Sequence, residues 1–157
     1  MLAFILAGML KKLPKFDLET DNGERISSAD LRGHRTVLYF YPKDDTSGCT
    51  LEAREFTSLL KKFQKASVDV IGVSPDSAKS HDKFVAKCDI GFPLISDPDK
   101  VLCSAFDVWK EKSMYGRKYM GVERSTFLIG PDGKIEREWR KVKVPNHAAE
   151  VLVAVNS

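Results

Sequence analysis

The chain has 157 residues, 43% of them apolar and 30% charged, with a formal net charge of +3. That length suits one domain that buries roughly two-thirds of the surface its unfolded form exposes, so no disulfide is needed to fold it. The near-neutral balance gives nucleic-acid binding little support, and no segment approaches the roughly 20 apolar residues that would make a membrane the partner.

The opening MLAFILAGML is apolar for ten residues and is followed, not preceded, by Lys11 and Lys12, the reverse of a signal peptide's charge order. Residues 1–8 read as an apolar extension to a single domain over 9–157; an upstream start, an added segment and a packing arm all fit. The 3 cysteines, an odd number without Cys-x-x-Cys spacing, suit a reducing cytoplasm, the expected location. His34, His81 and His147 are scattered and no Gly-rich phosphate loop is present, so no metal, haem or other cofactor is expected.

Phe16 to Glu19 and Arg25 to Ser27 flank Asp21-Asn22-Gly23, a turn that predicts a short N-terminal hairpin. Val37 to Tyr41 is a continuous apolar run, the pattern of a strand covered on both faces. Phe56, Leu59, Leu60 and Phe63 recur at helical spacing after it, with Thr46 or Ser47 as N-cap. Val68 to Val73 predicts a second buried strand, and Ser77 to Cys88 an amphipathic helix ended by Gly91. A short strand is expected over Phe92 to Ile95, then a helix introduced by Asp97-Pro98 and carrying Val101, Leu102, Ala105 and Phe106. Val122 to Ile129 and Lys134 to Arg140 bracket the Pro131-Asp132-Gly133 turn as a hairpin, and Ala148 to Val155 closes the chain as a helix. Alternating strands and helices with a terminal hairpin predict an α/β fold with a mixed central sheet flanked by helices. The Arg137, Arg140, Lys141, Lys143 cluster reads as a solvated strand face and its exit.

Cys49 is the residue with the clearest chemistry. It falls in the first turn of the helix after the apolar strand, where unpaired backbone N–H groups and the helix dipole favour a negative sulfur. Gly48 beside it, with Asp44, Asp45, Thr46 and Ser47, argues against its being a small hydrophobe buried in the core.

The spacing Pro42, Thr46, Cys49 fills the pattern Pro-x-x-x-Thr-x-x-Cys, and the wider wording YFYPKDDTSGCT, with GVERSTFLIGPDGKI at 121–135, resembles the peroxiredoxins. It is most similar to the bacterioferritin comigratory protein branch, also called peroxiredoxin Q, over nearly the whole chain. One departure is Ser47, where that branch usually has proline. The resemblance implies a thioredoxin-like fold and an antioxidant thiol peroxidase that reduces hydrogen peroxide and organic hydroperoxides. Electrons would come from thioredoxin or a similar dithiol protein, and a monomer is expected because many members of the branch are monomeric. It implies that Thr46 and Arg124 hold the peroxide oxygens, that Pro42 shapes and shields the loop, and that Glu52 positions Arg124. The other readings are a peroxide-sensing relay and a general disulfide reductase. Thr46, standing where a thioredoxin has its first active-site cysteine, argues against the reductase.

Attack on peroxide would leave Cys49 as a sulfenic acid that must condense with a thiol before it is oxidised further. Some members of the branch carry that thiol five residues on, here Arg54, and others on the next helix, at the position aligned with Val85. Cys88 lies about 60° round that helix and roughly 4.5 Å along it from Val85, making it a candidate displaced resolving cysteine. Its alternatives are a partly exposed end-of-helix thiol without a role, and direct resolution by an outside thiol. Cys103, among Val101, Leu102 and Phe106, reads as core.

Overall fold

In the computed structural model, which describes residues 11–157, the chain opens with β1 (Asp17–Glu19), β2 (Arg25–Ser27) and a 3-10 turn (Ser28–Leu31). It continues through β3 (Arg35–Phe40), α1 (Ser47–Lys65), β4 (Val68–Ser74), α2 (Ala78–Cys88), β5 (Leu94–Ser96) and α3 (Val101–Ala105). The remainder is β6 (Trp109–Met114), β7 (Arg117–Val122), β8 (Ser125–Ile129), β9 (Ile135–Trp139) and α4 (His147–Val155). The extension expected over residues 1–8 lies outside the described residues.

Five strands form the central sheet in the order β5-β4-β3-β8-β9. β4 runs parallel to β3 and to β5, whereas β8 is antiparallel to β3 and to β9. The expected mixed α/β sheet is therefore present, and β1 and β2 form the expected N-terminal hairpin.

Side chains on a strand alternate between faces, and β3 shows why its apolar run is continuous. Val37, Tyr39 and Tyr41 pack with Phe56 and Phe63 of α1, Phe84 of α2 and Val151 of α4. Leu38 and Phe40 point the other way, among Ile71, Phe127, Leu102 and Phe106. Gly72 sits opposite Tyr39 in the parallel register; a Cβ there would lie 2.8 Å from Leu94 and 3.0 Å from the Tyr39 ring, so the aromatic layer needs the missing side chain.

The structure departs from the sequence reading at several elements; α2, for one, is ended by Asp89 in the left-handed conformation and not by Gly91. β6 and β7 form a separate antiparallel hairpin closed by Tyr115 and Gly116, both at positive φ, the geometry of a two-residue primed turn. Charged residues are mixed with apolar ones along both strands and most positions are exposed, so no apolar alternation marks them. The helix expected from Asp97-Pro98 begins only at Val101, because Asp97 caps from a distance: its buried carboxylate accepts from the N–H groups of Val101 and Cys103 at 2.7 and 2.8 Å. Arg140 is not a simple solvated residue either, for its guanidinium donates to the carbonyls of Phe106 and Asp107, at 2.8 Å each, and lies over the Phe127 ring.

Candidate active site

β3 delivers the chain to the loop, and α1 receives it. Past the end of β3 the Tyr41 N–H still donates to Val73 O at 3.0 Å, so the loop leaves the sheet from a fixed point. Thr46 is the N-cap residue, with extended φ and ψ, but its hydroxyl does not cap; it donates to Lys43 O at 2.9 Å. The first intrahelical bond runs from Thr50 N–H to Thr46 O, which leaves the N–H groups of Ser47, Gly48 and Cys49 outside the helical ladder and directed at whatever lies before the helix. Ser47 occupies the first helical position, which proline favours because no N–H is needed there.

Cys49 is 2% exposed and belongs to the apolar cluster under α1, so the polar loop residues do not keep it in solvent as the sequence suggested. Its burial is not that of an inert thiol, however. The Arg124 Nη2 donates to Sγ at 3.3 Å, setting a positive charge against the sulfur. Arg124 stands in the two-residue break between β7 and β8, a break absent from the predicted continuous strand over Val122 to Ile129. Two backbone bonds hold that break: Glu123 N–H to Val108 O, and Val142 N–H to Arg124 O. Gly48 makes room for the guanidinium, since a Cβ at that position would lie 3.3 Å from Nη2.

Glu52, one turn after Cys49, accepts from Arg124 Nη1 at 2.6 Å. Its side chain is 1% exposed, and among the described residues its Oε2 has no hydrogen-bond partner. Burial lifts this carboxyl from 4.5 to about 7, a rise that Arg124 opposes without cancelling. Burial also works against the charge on Arg124, but Glu52 and Cys49 outweigh it and hold the guanidinium protonated. Above about pH 7 the pair is therefore ionised, and below it Glu52 is mainly protonated.

A carboxyl whose folded value lies above its unfolded one contributes stability that is complete below 4.5 and is lost as pH rises through about 7. Glu52→Gln keeps an acceptor for Arg124 and removes this titration. Between pH 5 and pH 8 the natural protein is expected to lose stability relative to the variant, by at most about 3 kcal/mol. Denaturant midpoints of both proteins at the two pH values check this; parallel pH curves would show that Glu52 does not carry the shift.

The structure thus brings Cys49, Glu52 and Arg124 into direct contact, with Thr46 exposed at the helix start and Pro42 half-buried in the loop. Cys88 is not the partly exposed thiol considered above: it is buried, 9% exposed, in the same apolar cluster as Cys49. All 3 cysteines are free, and Cys103 is fully buried beside Asp97, with its thiol pushed far up by that burial. Lys112 of β6 was not anticipated. Its ammonium is held below its usual range by burial and by Arg124, against the attraction of Cys49, so the unexpected hairpin brings a second cation toward the site.

The match to known proteins agrees with this geometry. Residues 9–138 fit the model of the AhpC/TSA family. The chain belongs to the AhpC/TSA family. It is 56% identical over 140 residues to peroxiredoxin Bcp of Xanthomonas campestris, covering 89% of this chain and 88% of that one. Peroxiredoxin Bcp of Bacillus subtilis is 49% identical over 142 residues, covering 90% of each. A solved structure of the Xanthomonas campestris bacterioferritin comigratory protein, described in terms of alkyl peroxide reduction, superposes with a TM-score of 0.86 at 50% identity, covering 90% of each chain. Within the family the chain stands on the peroxiredoxin Bcp, or peroxiredoxin Q, branch, and it is a thiol-dependent peroxidase with the thioredoxin-like fold.

Proposed function

We propose that the chain reduces hydrogen peroxide and small organic hydroperoxides through Cys49, with antioxidant defence as its role. The observation that carries this reading is the contact of Arg124 with both the Cys49 sulfur and Glu52, beside a helix start whose N–H groups are open. The Cys49 thiolate attacks the terminal peroxide oxygen, the O–O bond breaks, and the leaving oxygen departs as alkoxide or hydroxide and takes up a proton. Sulfur is oxidised to sulfenic acid as the peroxide is reduced to alcohol or water. Thr46 Oγ, which gives its own proton to Lys43 O, retains lone pairs to accept from the peroxide O–H. Arg124 and the N–H groups of Gly48 and Cys49 are the donors for the charge that develops on oxygen. Pro42, with no N–H of its own, keeps the loop wall apolar. Lysates or purified protein supplied with a dithiol donor should consume peroxide catalytically; a single stoichiometric oxidation without turnover would favour a sensing relay instead.

Cys88 is the resolving thiol in this reading, and thioredoxin or a similar dithiol protein then reduces the Cys49–Cys88 disulfide. Support comes from its place at the last turn of α2, which Asp89 ends in the left-handed conformation, so that fraying of one turn releases it. Condensation forms the S–S bond and releases water. Because both sulfurs are buried, a disulfide requires the first turn of α1 and the last of α2 to open together. Cys88→Ser is expected to stop thioredoxin-supported turnover, accumulate over-oxidised Cys49, and abolish the intramolecular disulfide on non-reducing gels. Unchanged turnover and over-oxidation would identify a one-cysteine mechanism.

A further inference from the structure

The loop carrying Pro42 and Thr46 is fastened to α2 by a buried polar network that the peroxide chemistry does not use. Asp44 looks like a loop residue in the sequence, yet its side chain is 4% exposed. Its Oδ1 accepts from the Tyr41 hydroxyl at 2.6 Å, and its Oδ2 accepts from the Ser80 hydroxyl at 2.7 Å and lies 2.7 Å from His81 Nδ1. His81 is fully buried, with Nε2 2.9 Å from Ile95 O. A carbonyl only accepts, so Nε2 carries a proton, and without a further proton between Nδ1 and Oδ2 two lone pairs would face each other. The pair therefore holds one proton in common.

The loop backbone is tied down as well. Asp44 N–H donates to Asp76 Oδ2 at 2.7 Å, an oxygen that also takes the Ser74 hydroxyl at 2.7 Å. Asp44, Asp76 and His81 offer ligand atoms within 4.8 Å of one another, but those atoms already bond to each other's groups and to Tyr41, Ser74 and Ser80. The cluster is a closed hydrogen-bonded network rather than a cation site. Outside it, Lys87 of α2 pairs with Asp45 at 2.9 Å on the exposed surface.

We propose that Asp44 and His81 form a positioning latch, which holds the β3–α1 loop and the first turn around Cys49 against α2, and whose release exposes the Cys49 sulfur to an incoming thiol. Neither residue touches the reacting atoms; both act through Thr46 and the helix start. The latch joins residues 37 positions apart, on the two segments that carry Cys49 and Cys88, and breaking it frees both at once. The proposal rests on Cys49 being the reacting thiol, which Cys49→Ser tests separately through peroxide consumption.

The test is the rate at which iodoacetamide alkylates Cys49, followed by peptide mass spectrometry at one pH, alongside amide hydrogen exchange in β3, β4 and β8. His81→Ala and Asp44→Ala should each speed alkylation by about tenfold or more, the scale of losing a buried charged hydrogen-bond partner. Exchange in the central strands should stay unchanged. Asp44→Asn can donate to Nδ1 and to Ser80 Oγ and still accept from Tyr41, so it should stay within about threefold of the natural protein. Lys87→Ala, which breaks only the exposed pair, should change the rate by less than about twofold. If His81→Ala does not fold, Ser80→Ala, which removes one donor from Asp44, should still raise alkylation measurably while leaving exchange alone. Alkylation that is unchanged, that rises only in step with strand exchange, or that is equal in Asp44→Asn and Asp44→Ala would overturn the latch.

Discussion

Cys49→Ser is expected to abolish peroxide consumption while the far-ultraviolet circular dichroism and thermal unfolding stay close to those of the natural protein. The hydroxyl nearly keeps the volume of a buried side chain, so no sizeable cavity opens in the cluster shared with Phe56 and Phe84. It also keeps an acceptor for Arg124, which would otherwise lose one of its two contacts. What it cannot supply at neutral pH is an ionised nucleophile soft enough to attack oxygen. Consumption should fall to the uncatalysed background in an assay following hydrogen peroxide with excess dithiol donor. Substantial residual turnover would mean that Cys88 or Cys103 reacts, and Cys103 is a poor candidate because burial and Asp97 hold its thiol protonated.

The fold and the centre of the site were legible for different reasons. β3 and β4 announced themselves because both faces are largely buried and, apart from the exposed Asp69 near the start of β4, every residue of the runs is apolar or small. α1 did so because Phe56, Leu59, Leu60 and Phe63 keep helical spacing over about two turns. Cys49, Thr46 and Pro42 fall within one local motif whose backbone geometry follows from a strand handing over to a helix. Arg124 lies 75 positions from Cys49, and only the resemblance to a family pointed to it. The Asp44–His81 network carried no local signal at all: Asp44 sits among solvated loop residues, and its partner is set by how α2 packs, which no spacing along the chain encodes. Lys112 was missed because the β6–β7 hairpin that bears it is charged on both faces; its one mark was the Tyr115-Gly116 turn. Asp97 shows the converse: the N-cap position expected of it falls to Lys100, and its carboxylate instead reaches across the intervening turn to the N–H groups of Val101 and Cys103.

Arg124→Ala is expected to slow the peroxide step by about 10² or more. Thiolate population alone does not account for a fast reaction, because nucleophilicity falls as a thiol becomes more acidic. The larger effect comes where charge develops, on the leaving oxygen, and a preorganised charged donor in a partly dry pocket is worth factors of about 10² to 10³ there, or roughly 2.7 kcal/mol and more. Arg124 meets the conditions for such a donor. Its side chain is 16% exposed, Glu52 fixes its Nη1, its own backbone is held by Val142, and Nη2 reaches the sulfur from the side left open by Gly48. The variant also strands the buried Glu52 carboxylate without its cation, which favours a proton on that group and costs stability, so the rate must be measured on protein shown to be folded. Single-turnover oxidation over a range of pH separates the two roles of the guanidinium. If Arg124 only ionises the thiol, raising the pH restores the natural rate; if it also holds the transition state, a deficit of about 10² persists when the thiol is fully ionised. Full recovery at high pH would remove Arg124 from the bond-breaking step.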